Sequence, residues 1–253
     1  MKFLIFLFLT TALTNPGFSQ INTERYRLDS DSIGFTGIAD IEITAITGNT
    51  NLQFINLGGR VNYNWGASYT FLVADAGFGW DEGKRIFDQA LLHLRHVHSI
   101  SDFIQVEAFA QADFNKSRLL TDRGLIGGGL RLRILRTDNI KLRIAASYFY
   151  EYERYDLPEN SIHGNNLFAN RISTYFTFEY EIKVDIKLVS ITYLQPQIGR
   201  WEDFRILSDN SLIVGLSSFV DVKTSFTLRY DSKPPETIKD TDTFTKFGFT
   251  FKF

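Results

Sequence analysis

The chain has 253 residues, 27 Lys and Arg against 29 Asp and Glu, a formal net charge of −2 and no cysteine. That balance leaves no basic footprint for a phosphate backbone, which excludes nucleic acid as a partner, and the missing thiols exclude a disulfide framework and any thiolate metal site. A hydrophobic fraction of 44% with mean hydropathy of −0.10 fits alternating apolar and polar residues better than apolar blocks, and the length suits a single all-β barrel.

Residues 1–20, MKFLIFLFLTTALTNPGFSQ, carry Lys2, run apolar from Phe3 to Leu9 and on to Leu13, and break at Pro16-Gly17. The run falls short of the ~20 apolar residues of a spanning helix and reads as a signal peptide over 1–19, cleaved near Ser19 or Gln20. A polar leader, 20–32, follows. From there the chain alternates. In 103–115 the row Ile104, Val106, Ala108, Ala110, Ala112 and Phe114 opposes Gln105, Glu107, Phe109, Gln111 and Asp113, and 140–153 and 222–231 repeat the pattern. Period two over such lengths predicts strands.

About twelve strands are expected, near 33–46, 52–65, 68–80, 86–98, 103–115, 124–135, 140–153, 169–182, 186–198, 205–218, 222–231 and 243–253. Each matches the ~9–11 residues or more that a tilted strand needs to cross a bilayer. Even-numbered strands leave through tight links such as Trp65-Gly66-Ala67-Ser68 and Lys183-Val184-Asp185. Odd-numbered strands often leave through longer ones: NKSRLLTDR, RYDLPENSIHGNNLF, GRWEDF and SKPPETIKDTD. Short turns at one end and long loops at the other predict a single closed antiparallel transmembrane β-barrel over 33–253, of outer-membrane type, with both termini periplasmic.

Two features place the apolar rows outside. Rows such as Leu72, Ala74 and Ala76, then Phe78 and Trp80, are aliphatic in the middle and aromatic at the end, as membrane interfaces select. A barrel of about twelve strands is also wider than the ~8-stranded case whose interior fills with side chains, so an apolar interior would leave a void. The final strand then turns Phe247, Phe249, Phe251 and Phe253 to lipid and Lys246, Gly248, Thr250 and Lys252 inward. A closing strand that ends in Phe resembles the C-terminal signature that the barrel-assembly machinery reads in bacterial outer-membrane proteins.

The lumenal rows collect charge. Glu107 and Asp113 precede Arg131 and Arg133, then Lys141, Arg143, Glu151 and Glu153, then Arg171, Glu179, Glu181 and Lys183. Opposite charges on neighbouring strands pair across a ladder, and rings of charge set permeation in channels. The eight candidates for a selecting constriction are Glu107, Asp113, Arg131, Arg133, Arg143, Glu151, Arg171 and Glu179; a salt-bridged lumen that conducts little is the alternative.

No catalytic, metal-binding or cofactor-binding residue is assigned. His96 and His98 share one strand face and His93 takes the other, so the three do not converge on a metal. Ser161 and His163 lie in the longest loop without an orienting acid. Thr47-Gly48-Asn49-Thr50-Asn51 has the composition of a hairpin turn. Asp231, Glu236, Asp240 and Asp242 are candidate calcium ligands, although Lys233, Lys239 and Pro234-Pro235 favour a solvated loop.

Two stretches together, TGNTN at 47–51 and YDSKPPETIKDTDTFTKFGFTFKF at 230–253, resemble the salt-induced outer-membrane protein family, also called domain of unknown function 481. Ser232, Pro234, Pro235 and Glu236 match that family's loop, and Thr241 and Asp242 the step before its closing strand. The segment Thr121-Asp122-Arg123 with Gly127-Gly128-Gly129 resembles the family's middle, the triple glycine being a departure. The resemblance implies a barrel fold and an outer-membrane location and supplies no catalytic residue. The expected function is non-enzymatic, a small-solute channel or an envelope-integrity barrel under osmotic stress, the alternative being an outer-membrane lipid-modifying hydrolase. Expected partners are outer-membrane lipids, the assembly machinery, and small solutes or ions.

Overall fold

In the computed structural model, residues 33–46, 51–236 and 238–253 are described; the expected signal peptide, polar leader and most of the expected hairpin turn, 47–50, lie outside them. Among the described residues twelve strands form: β1 (Gly34–Ile46), β2 (Leu52–Asn64), β3 (Ser68–Asp81), β4 (Lys84–Ser99), β5 (Ile104–Asn115), β6 (Leu120–Arg136), β7 (Ile140–Tyr155), β8 (Asn166–Lys183), β9 (Ile186–Gln197), β10 (Arg200–Gly215), β11 (Val220–Asp231) and β12 (Thr241–Lys252). Each pairs antiparallel with its sequence neighbours, and β12 returns to β1, so the sheet is a closed barrel without an edge.

The closing seam is the shortest pairing. β1 and β12 match from Ile38↔Lys252 to Glu42↔Gly248, whereas β1 and β2 match from Gly34↔Asn64 to Ile46↔Leu52. Phe253 extends the seam beyond the strand: its carbonyl accepts from the Gly37 N–H at 2.7 Å and its N–H donates to the Gly37 carbonyl at 3.0 Å. The outer edge of the exposed Phe253 ring lies over Gly37, 2.3 Å from where a Cβ would stand, so a side chain there would turn that ring aside.

The expected rows hold. Outward lie Leu57, Leu72, Leu92, Leu94, Ile126, Leu130 and Ile144, all exposed, and inward lie Asp40, Arg95, Glu107, Arg131, Glu151, Arg171 and Arg205, all buried. A one-residue register slip would reverse every one of these placements, so the pattern itself pins the register. Outward aromatic rings gather near the two rims: Phe35, Tyr63 and Trp65 stack edge to face near the termini, at 4.7 and 4.8 Å, and Phe78 and Trp80 lie 6.4 Å apart near the opposite rim.

Two expected long loops are strand instead. NKSRLLTDR is a 3-10 turn, Lys116–Arg118, after which β6 starts at Leu120. Asn115 caps the turn by accepting from the Arg118 N–H at 3.2 Å, and Leu119 reverses the chain with φ 56°. GRWEDF belongs to β10, which follows a tight turn whose Gly199 has φ 81°. A register shift between Arg200 and Phe204 interrupts the alternation and hides the strand start in the sequence. Among the described connections only 156–165 and 232–240 are long, both at the rim opposite the termini. The triple glycine also has a reason: a Cβ on Gly127 would meet the Tyr148 carbonyl at 2.5 Å, and one on Gly129 the Ala146 carbonyl at 2.3 Å, so β6 and β7 approach too closely for side chains there.

Candidate functional site

Period-two alternation delivers one inward side chain from every second residue of twelve strands, and the lumen is where they meet. Two layers of charge result. In the half nearer the termini Glu107 on β5 takes contacts from Arg95 on β4 at 3.2 Å, Arg131 on β6 at 3.1 Å and the Tyr175 hydroxyl on β8 at 3.1 Å. Arg131 donates through Nε to the Tyr175 hydroxyl and through Nη1 to the Tyr69 hydroxyl on β3, both at 2.7 Å. Because β3 and β8 stand five places apart in a ring of twelve, these bonds bar the lumen from wall to wall.

Nearer the long loops lies a denser layer. Glu151 sits among three guanidinium groups, Arg123 at 2.7 Å, Arg171 at 2.6 Å and Arg205 at 3.2 Å. Arg205 also grips Glu153 in two bonds of 2.8 and 2.9 Å and reaches Asp231 at 3.1 Å. From the turn before β6, Arg118 donates to Asp242 on β12 at 2.8 Å and lies 3.6 Å from Asp231 on β11, which again spans the barrel. Leu120, Tyr155 and Leu157 cover this end as a buried cluster, so loop 156–165 turns Leu157 inward. The loop is clasped from outside: the Glu236 carboxylate accepts from the His163 backbone N–H at 2.7 Å. That bond and one from its own backbone N–H hold the Glu236 carboxyl below its usual range, its own N–H contributing most.

The interior is packed at several heights at once. Val73, Val97, Gln105, Arg131, Glu151 and Arg171, on six different strands, have no exposed surface. Burying so much charge costs several kcal/mol per ion unless the geometry supplies partners, and bidentate guanidinium–carboxylate pairs supply them.

Of the eight candidates, Glu107 and Arg131 meet in the layer nearer the termini and Glu151 and Arg171 in the upper layer, nearer the long loops. Arg143 and Glu179 pair separately toward the termini. Asp113 is half-buried and accepts from Gln111 at 2.7 Å. Arg133 lies apart from Arg131 and donates to the Asp102 carbonyl at 3.4 Å, and Lys183 is exposed beyond an irregularity at Glu181. Arg95, Arg118, Arg205, Tyr69 and Tyr175 went unnamed as site residues, and Asp231 was named only as a candidate calcium ligand. Phase with Phe109 and Glu107 across the β4–β5 ladder marks Arg95 as inward, but Arg118 sits in a turn, where periodicity says nothing.

His93 lies in the lumen beside Arg95 and Gln111, at 3.1 Å each, while His96 and His98 face outward on Thr70 and Ser68, at 2.8 Å each. His163 turns its ring edge to face against Tyr155. The acidic loop residues diverge: Asp231 and Asp242 point to Arg118, and Glu236 to His163.

The fold is that of outer-membrane barrels. The chain is similar to the NanC porin, with TM-score 0.54 and 11% identity over 86% of this chain and 100% of that one. It is also similar to the translocator domain of the autotransporter NalP from Neisseria meningitidis, with TM-score 0.50 and 10% identity over 89% and 91%. No curated protein matches the sequence. The chain belongs to the family described as proteins of unknown function, DUF481, whose model matches residues 40–253.

Proposed function

We propose that this is a non-enzymatic barrel of the bacterial outer membrane, exported by its N-terminal signal peptide, with its termini in the periplasm and its lumen a gated pathway for small solutes or ions. The outward apolar rows with aromatic rims support the location. The observation that carries the pathway is the bar formed by Arg131 between Tyr69 and Tyr175. A barrel that needed only to be filled gains more from apolar packing than from buried charge, whereas polar groups that exchange partners can part and re-form around a permeating solute. A second reading, an envelope-integrity barrel acting under osmotic stress, draws on the same closed interior taken as permanent. C-terminal recognition of Phe247, Phe249, Phe251 and Phe253 by the assembly machinery belongs to this proposal.

The test is planar-bilayer conductance of the refolded, signal-free protein beside its Arg131→Ala and Arg131→Glu variants. Small, infrequent steps are expected from the wild type, larger ones from Arg131→Ala, and a shift toward cations in Arg131→Glu. Barrels that insert, shown by heat-modifiable migration, and never conduct in any form would reject the pathway and leave the integrity role.

A further inference from the structure

The wall of the barrel is not joined over its full height. β1 and β12 pair only as far as Glu42↔Gly248, while β1 goes on to Ile46 along β2 and β12 runs from Thr241 along β11. Among the described residues no β1–β12 pair lies on the loop side of that point. Gly248 lets the strands come close at the last pair, since a Cβ there would lie 2.6 Å from the Ile41 carbonyl. Lys246 and Glu42 hold the foot of the split from inside at 3.0 Å. Above it the outward side chains lose cover: Ile43 is 65% exposed against 40% for Ile41, and Phe247 59% against 45% for Phe249. At about 3.3 Å per residue, the unjoined end of β1 leaves a slit roughly 13 Å long.

Behind this slit the lumen is apolar, where most of it is charged. Phe54 on β2, Phe87 on β4 and Phe244 on β12 pack together there, Phe54 and Phe87 edge to face at 6.1 Å. Two glycines of β3 make the room: a Cβ on Gly77 would lie 2.7 Å from the Phe87 ring, and one on Gly79 2.6 Å from the Phe54 ring. Phe87 and Phe244 are buried, but Phe54 is half-buried, and Thr44, its ladder partner on β1, is exposed at the slit. We infer that the slit is a lateral portal, through which an acyl chain of a membrane lipid enters from the loop-side leaflet and lies on Phe54. The mouth opens between Ile43 and Phe247, both on lipid-facing rows, so the bilayer itself is the source of the chain. Covering Phe54 with hydrocarbon takes apolar surface out of lumenal water. A sheet edge open to lipid is otherwise avoided, and persists only where it borders protein or a cavity. The portal stands apart from the conduction proposed above and does not depend on it.

The experiment is photolabelling of the refolded protein in vesicles of a phosphatidylcholine that carries a diazirine near the end of one acyl chain, with adducts mapped by peptide mass spectrometry. Leu92 and Leu94, on the lipid-facing surface, serve as the internal standard. Labelling of Thr44 and Phe54 beside them is expected. A variant with Ile43→Cys and Phe247→Cys, bridged by a bismaleimide, should lose the Thr44 and Phe54 adducts while Leu92 and Leu94 keep theirs and heat-modifiable migration is unchanged. Oxidation of the unbridged thiols reads the slit directly. Ile41→Cys with Phe249→Cys, paired in the ladder, should close a disulfide, and Ile43→Cys with Phe247→Cys should not, because Cα atoms more than ~7 Å apart cannot be bridged. Adducts confined to outward residues, inward adducts that survive the bridge, or equal oxidation of the two pairs would overturn the portal. Inward adducts in a barrel that never conducts would keep the portal and reject the pathway; conduction without them would do the reverse.

Discussion

Glu151 is the residue on which the upper layer turns, because its two oxygens are shared among Arg123, Arg171 and Arg205. Arg205 in turn serves Glu151, Glu153 and Asp231. Removing one partner of a buried pair leaves the others uncompensated, so Arg205→Ala should lower barrel stability by about 3–5 kcal/mol. The double variant Arg205→Met with Glu153→Met should recover part of that loss, because two charges leave together. Urea midpoints of refolding into vesicles, compared in a double-mutant cycle, measure both. At Gly129 the constraint is space: a Cβ would sit 2.4 Å from the Ser147 Cβ. Gly129→Ala should therefore destabilise by about 1–3 kcal/mol through overpacking, against the usual expectation that replacing a strand glycine helps. An unchanged urea midpoint would show that β6 can move away from β7.

Among the elements, β12 carries the closure and does so on its last residues. The seam with β1 is short, and the Phe253 backbone supplies two of its bonds. Deleting Phe251–Phe253 should abolish heat-modifiable migration, whereas Phe253→Ala, which keeps the backbone, should retain it with a lower urea midpoint. Equal behaviour of the two variants would mean that the ring, not the ladder, closes the barrel. The two long loops behave as a joined element. Their clasp depends on an ionised Glu236, whose folded pKa lies below the ordinary value of 4.5. A depressed carboxylate stabilises above its unfolded pKa and loses that contribution as pH falls through the folded one. Protease nicking within 156–165 should hence stay slow at neutral pH and rise only at pH values below that ordinary range. Glu236→Gln should nick readily at all pH values, and a wild-type profile flat into strong acid would refute the clasp.

For the molecule as a whole, the conflict is between filling a twelve-stranded interior and keeping it polar. Ordinary side chains fill about eight strands; here long arginines cross the remaining width, Arg131 to β3 and β8 and Arg118 to β12. The same bonds close the lumen and hold the walls, so conductance and stability should move in opposite directions across lumenal variants. Arg131→Ala, expected to conduct more, should also unfold at lower urea. A variant that conducts more without any stability loss would separate the gate from the scaffold.

Strand number, order of elements and the face of nearly every strand residue were legible in the sequence, because period-two alternation is a local property that survives without tertiary context. Glu107, Arg131, Glu151 and Arg171 could thus be placed in the lumen from their phase alone. The partners of those residues could not. Which arginine reaches which carboxylate depends on shear, on the bulges at β6 and β10 and on side chains crossing five strands, none of which is encoded at short range. The loops misled for a related reason: polar inward residues in the turn before β6 and at the start of β10 look like loop until Asp242 from the opposite wall meets Arg118, and Arg171 from two strands away meets Asp203. Alternation determined the barrel; the closed tertiary structure alone decided that its interior is barred by Arg131 between Tyr69 and Tyr175, because that depends on which long side chains meet across the lumen.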